Sequence, residues 1–212
     1  MPVMMDLRVA ELLCSRLCHD LVSPVGAVNN GIEFLDGVDA ATMAEATQLI
    51  ARSAEEAAHR LSFFRLAYGA AGSEVMVDMK DARRVTMAMF GEGRYKLDWP
   101  EEQPSIGVGG VQGLSKVLIN LVQLAAECLP SGGTMHVHGG QTDGRLALCV
   151  TAIGKNAALR EGGVAALAGE TAPEKLDARS IQAFITGRFA DQFGLKISTE
   201  EWEGKLSFII VA

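Results

Sequence analysis

Only one of the four histidines in this 212-residue chain, His19, has neighbours that suggest chemistry. Asp20 follows it directly, Arg16 lies about one helical turn before it, and Ser23 lies one turn after it, with Pro24 closing the segment. A carboxylate beside an accessible imidazole orients the ring and raises the basicity of the free nitrogen, so the pair can act as a nucleophile. Phosphoryl transfer to such a nitrogen needs mainly in-line access for a donor and a metal that the partner can bring. Arg16 is suited to hold a transferred phosphoryl group. A solvated surface histidine is the ordinary alternative, and residue chemistry alone favours it.

Other candidates have weaker settings. His136 and His138 alternate on one face of an expected strand, but two strand histidines without a third ligand are more often surface residues than a metal site. Cys14 and Cys18 are one helical turn apart and lack the further partners of a closed zinc site. Asn29 and Asn30 suit polar contacts or side-chain capping in a bent helix. The pairs Gly109–Gly110 and Gly162–Gly163 read as loop glycines outside any strand-to-helix phosphate cradle. Met76, Met79, Met87 and Met89 read as core filler.

The elements that must position His19 follow from periodicity. Leu7, Cys14, Leu17, Leu21, Val25, Val28, Ile32 and Leu35 form a near-heptad seam, so residues 7 to about 37 are expected as one amphipathic helix. That seam puts His19 on the opposite, solvent-facing side. Pro24 inside the helix removes a backbone hydrogen bond and is expected to bend it. After a short break at Gly37–Ala40 a second helix is expected over Ala41–Ala70, ending at the Gly69–Ser73 stretch. So short a loop requires an antiparallel hairpin, and a lone hairpin leaves one apolar side uncovered. A homodimer built on a four-helix bundle is therefore expected.

From about Val75 the pattern changes. Helices are expected over Asp78–Phe90, Val111–Leu129 and Ser180–Phe193. Strands are expected over Tyr95–Trp99, Thr134–His138, Arg145–Ala152, Lys196–Thr199 and Lys205–Val211, with Gly139–Gly144 as a hairpin loop. The fold class is thus α+β, with helices on one face of a mostly antiparallel sheet. Two domains follow: residues 1–72, the helical hairpin, and residues 73–212.

Composition narrows the function. The chain is 49% hydrophobic and 21% charged, an ordinary globular balance. Its net charge of −7 argues against nucleic acid as a partner. The longest apolar stretch, Val117–Leu129, is too short and too polar to span a bilayer. Met1–Arg8 does not read as a signal peptide. A cytoplasmic location with reduced cysteines is expected.

The string His19-Asp20-Leu21-Val22-Ser23-Pro24 resembles the phosphoacceptor box of sensor histidine kinases, which lies on the first helix of their dimerisation hairpin. The wider run from Leu12 to Gly31, ending Val28-Asn29-Asn30-Gly31, looks closer to the ChpT-type histidine phosphotransferases, and the resemblance covers essentially the whole chain. It implies that residues 73–212 form a degenerate kinase-like (Bergerat-type) α/β sandwich. Three kinase features are altered. Where kinases carry Asn-Leu-x-x-Asn-Ala, this chain has Asn120-Leu121-Val122-Gln123-Leu124-Ala125, and a leucine cannot ligate magnesium. The Asp-x-Gly-x-Gly motif appears as Ala152-Ile153-Gly154-Lys155-Asn156. The region Leu176–Ile181 lacks the Gly-x-Gly of the lid.

The resemblance therefore implies a phosphorelay protein that does not bind ATP. His19 would accept a phosphoryl group from a receiver aspartate and pass it to another, with Asp20, Ser23 and Arg16 assisting and with Ala27 and Asn30 at the receiver-docking face. It implies no cofactor of the chain's own, the receiver supplying magnesium. It also implies a CckA-like hybrid kinase as donor and CtrA-like and CpdR-like response regulators as acceptors, in cell-cycle control. The alternatives are a kinase-like pseudoenzyme that only binds, an active histidine kinase, and a phosphatase acting through Ser23.

Overall fold

The computed structural model describes residues 6–35, 39–70, 78–91, 93–101, 111–142 and 145–211. Helix α1 spans Leu7–Glu33 and helix α2 spans Ala40–Ala67, packed against each other as a hairpin. Both begin on an aspartate. Asp6 accepts the amide of Arg8 at 2.8 Å and Asp39 accepts that of Thr42 at 2.9 Å, satisfying donors that the first helical turn leaves free. Gly31 lets the two helices approach, because a Cβ there would lie 2.6 Å from Ile50 Cγ1.

The rest of the chain follows in the order α3 (Met79–Phe90), β1 (Tyr95–Asp98), α4 (Leu114–Glu127), β2 (Gly133–Thr142), β3 (Arg145–Ile153), α5 (Gly163–Leu167), a 3-10 turn (Pro173–Lys175), α6 (Ile181–Gln192), β4 (Lys196–Trp202) and β5 (Lys205–Val211). The strands form one sheet in the order β1-β2-β3-β5-β4, parallel only between β1 and β2. Alternation on the strands sends Met135, Val137, Leu148, Val150, Ala152, Leu206, Phe208 and Ile210 into the core. Helix α4 lies over that face and is buried at almost every position from Leu114 to Ala126. The expected architecture, a helical hairpin followed by an α+β sandwich, is what the chain adopts.

The hairpin does not stand apart from the sandwich. Phe63 of α2 is fully buried and meets Phe90 of α3 edge-on, with ring centroids 5.5 Å apart. Burying a side chain of that size stabilises by roughly 2–3 kcal/mol, so the hydrophobic core runs across the junction.

Several boundaries differ from expectation. Helix α1 stops at Glu33, and β2 and β3 extend through the expected loop, pairing as far as Thr142 with Arg145. Gly162 and Gly163 are not simple loop residues. Gly162 adopts a left-handed φ of 74° and caps the five-residue α5, which periodicity did not reveal. The junction between residues 72 and 73, Gly37 and Val38, Met76 and the pair Gly109–Gly110 lie outside the described residues.

Cys14 and Val25, expected to face inward, are exposed, whereas Leu17, Leu21 and Val28 are half-buried. The near-heptad seam averages two faces. One, carrying the buried Pro24 and Gly31, turns toward α2, where Gly31 meets Ile50, while the other is bare in the single chain.

Candidate functional site

His19 projects from the outer face of α1, with its side chain 88% exposed. Its Nδ1 lies 3.2 Å from Asp20 Oδ1, which leaves Nε2 open to solvent. Ser23 and Asn30 are exposed on the same face, since positions four and eleven residues along a helix return to nearly the same direction. Ala27 lies at the edge of that face and is half-buried.

Arg16 is not part of this open face. Its side chain is only 13% exposed, and Nη2 pairs with Glu127 Oε1 at the end of α4. Burial works against the Arg16 charge, but Glu127, Tyr68 and Asp20 together outweigh it and hold the guanidinium above its ordinary pKa. The guanidinium expected to hold a phosphoryl group is thus engaged by a carboxylate of the sandwich that the sequence did not place next to it.

The backbone under the site is held from α2. Arg60 Nη1 donates to the carbonyl of Asp20, and Nη2 of the same guanidinium pairs with Glu56. The Arg60–Asp20 contact was not visible in the sequence, because it spans 40 positions.

The run resembling the kinase magnesium motif has a structural use. Asn120 is fully buried, and its Nδ2 donates to the carbonyl of Ala67 at 2.8 Å and to that of Lys116 at 2.9 Å. Its Oδ1 accepts Gln182 Nε2 at 3.1 Å, and Gln182 Oε1 accepts the Tyr68 hydroxyl at 2.7 Å. Lys116 Nζ reaches the carbonyl of Gly69 at 2.7 Å and lies 4.4 Å from the centre of the Phe189 ring. The last carbonyl of α2 and that of Gly69 just beyond it are thus capped by side chains of α4, as helix ends require.

Leu124 is buried beside a shallow cleft lined by Glu127, Cys128, Leu159, Arg160, Arg179 and Ala183. Asp177 in the lid region is occupied locally. Its carboxylate accepts Ser180 Oγ and the amides of Ser180 and Arg179, contacts that lower its pKa, with the Ser180 side chain the largest cause.

His136 pairs with Asp98 at 2.9 Å on the open face of the sheet, and His138 is exposed beyond it. Among the described residues no group of three or more histidine, cysteine or acidic side chains is placed to hold a metal ion. No helix among them is long and apolar enough to cross a membrane.

Comparison with known proteins agrees with this layout. A family model described as the histidine phosphotransferase C-terminal domain matches residues 79–205. The chain is 36% identical over 197 residues to the protein phosphotransferase ChpT of Brucella abortus (strain 2308), covering 91% of this chain and 90% of that protein. A solved structure described as a bacterial phosphotransferase superposes with a TM-score of 0.77 at 31% identity and covers 99% of both chains.

Proposed function

The chain belongs to the ChpT-type histidine phosphotransferase family, and from that premise we propose that His19 is the phosphoacceptor of a multistep phosphorelay. The observation that carries the reading is the exposed imidazole whose Nδ1 faces Asp20 and whose Nε2 is free. In the forward step Nε2 attacks the phosphorus of a receiver's aspartyl phosphate. The N–P bond forms as the bond to the carboxylate oxygen breaks, and the carboxylate leaves. Asp20 orients the ring and stabilises the proton on Nδ1. The second transfer is the same step in reverse, onto another receiver's aspartate, and each receiver brings its own magnesium.

Ser23, Ala27 and Asn30 lie along α1 beside His19 and form the proposed receiver-docking face, while Arg16 serves as a tie to the sandwich. The stripe Leu7, Val22, Val25 and Ile32 on α1, with Leu61 on α2, supports a homodimer through a four-helix bundle. Leu124 and Leu159 at the cleft, with Asn120 committed to the junction, support the absence of ATP-driven self-phosphorylation. The proposed setting is the cytoplasm. Donor and acceptors would be a CckA-like hybrid kinase and CtrA-like and CpdR-like regulators, in cell-cycle control.

The test is transfer from a pre-phosphorylated receiver. Acid-labile label on the wild type, absent from His19→Ala and absent with ATP alone, is the expected result. Labelling by ATP alone would overturn the relay reading in favour of a kinase.

A further inference from the structure

Helix α1 runs from Leu7 to Glu33 through Pro24. In an α-helix the carbonyl of residue i accepts the amide of residue i+4, and a proline has no amide hydrogen. The carbonyl left without that bond by Pro24 is therefore the carbonyl of Asp20, the residue whose side chain contacts His19. A freed carbonyl is where a helix bends, unless another donor fills the gap.

Arg60 fills it. From α2, Nη1 donates to the Asp20 carbonyl, and Glu56, one turn away on the same helix, holds the other arm of the guanidinium. The Arg60 side chain is 23% exposed, so the contact is largely sheltered from water.

We propose that Arg60 is a positioning residue for phosphotransfer at His19, gripping the Asp20 carbonyl that Pro24 leaves unpaired and so fixing the His19–Asp20 pair relative to α2. The inference rests on His19 as the phosphoacceptor and adds the device that holds it. Asp20 is then constrained at both ends, its carboxylate facing the imidazole and its backbone tied to the second helix. Arg60 touches no reacting atom. It acts through the geometry of Asp20, and small displacements of a nucleophile cost rate.

The experiment measures transfer from a phosphorylated receiver to the full-length protein as a function of receiver concentration. Arg60→Ala is expected to lower the maximal rate on the order of 10- to 100-fold with little change in the concentration for half-maximal rate. Arg60→Lys, which keeps a donor for the carbonyl, should recover part of it. The decisive arm is Pro24→Ala, in which residue 24 regains an amide able to bond the Asp20 carbonyl. In that background Arg60→Ala should have almost no further effect.

Hydrogen exchange of the amides from Leu21 to Val25 should follow the same pattern, faster in Arg60→Ala and corrected when Pro24 is also replaced. An equal loss with and without Pro24, or a loss confined to half-saturation, would overturn the proposal. A wild type that takes no label dependent on His19 would instead defeat the phosphoacceptor reading, and the exchange measurements would still decide whether Arg60 replaces the missing bond.

Discussion

Tyr68, just past the end of α2, donates its hydroxyl to Gln182 Oε1 on α6 at 2.7 Å, joining hairpin and sandwich across 114 positions of sequence. Gln182 passes the connection to Asn120, and Asn120 returns it to the carbonyl of Ala67. The circuit closes on the helix where it began. A buried polar circuit stabilises only while each member keeps its partner.

Replacing Tyr68 by Phe removes one hydroxyl and leaves a buried amide oxygen without its donor. The expected loss is about 1–3 kcal/mol, read as a lower Tm or denaturant midpoint. An unchanged midpoint would show that the circuit adds nothing to stability.

Arg16 and Glu127 tie α1 to α4 in a similar way. Glu127→Gln keeps the shape and removes the charge, and Arg16→Ala removes the partner. Truncating one member of a largely buried pair costs roughly 3 kcal/mol, whereas changing both together costs less than the sum. Strict additivity in a double-mutant cycle would mean that the two charges do not depend on each other.

The bare apolar stripe on the hairpin makes a prediction about association. Ile32 is 53% exposed and Leu61 is 55% exposed. Ile32→Glu with Leu61→Glu should convert a dimer to a folded monomer in sedimentation, with circular dichroism unchanged. A wild type that sediments as a monomer would refute the four-helix bundle.

Alkaline pH should unfold the protein early. Burial is the main cause that raises the Cys128 thiol from 9.0 to about 12 and raises the Tyr68 phenol above its ordinary value. A raised folded-state pKa means that the folded chain holds its proton longer than the unfolded one. The stabilising contribution is whole below the unfolded pKa and is lost as pH rises toward the folded value. Stability contributed by Cys128 should therefore fall across the window from 9.0 to about 12. Lys116 acts oppositely, because burial lowers it from 10.5 to about 8 and stability is gained as its charge is released. The alkaline fall in Tm should be shallower in Cys128→Ala, and an identical slope would show that Cys128 is not responsible.

The helical hairpin, the alternating strands and the exposure of His19 beside Asp20 were all legible in the order of residues along the chain. Those properties depend on periodicity and on neighbours within a turn or two, which is the range over which a helix or strand repeats its faces. Pro24 also announced that the first helix would lack one backbone hydrogen bond.

Which donor compensates for that missing bond was settled by packing, because Arg60 comes from another helix and no local rule selects it. It also turned Arg16 toward Glu127, and it turned Asn120, the first residue of the run that resembles the kinase motif, into a cap for the end of α2. Such pairings arise where packed elements bring buried donors and acceptors within reach across long stretches of chain. There an unpaired polar group is expensive, and the nearest available partner is fixed by the packing and not by distance along the sequence.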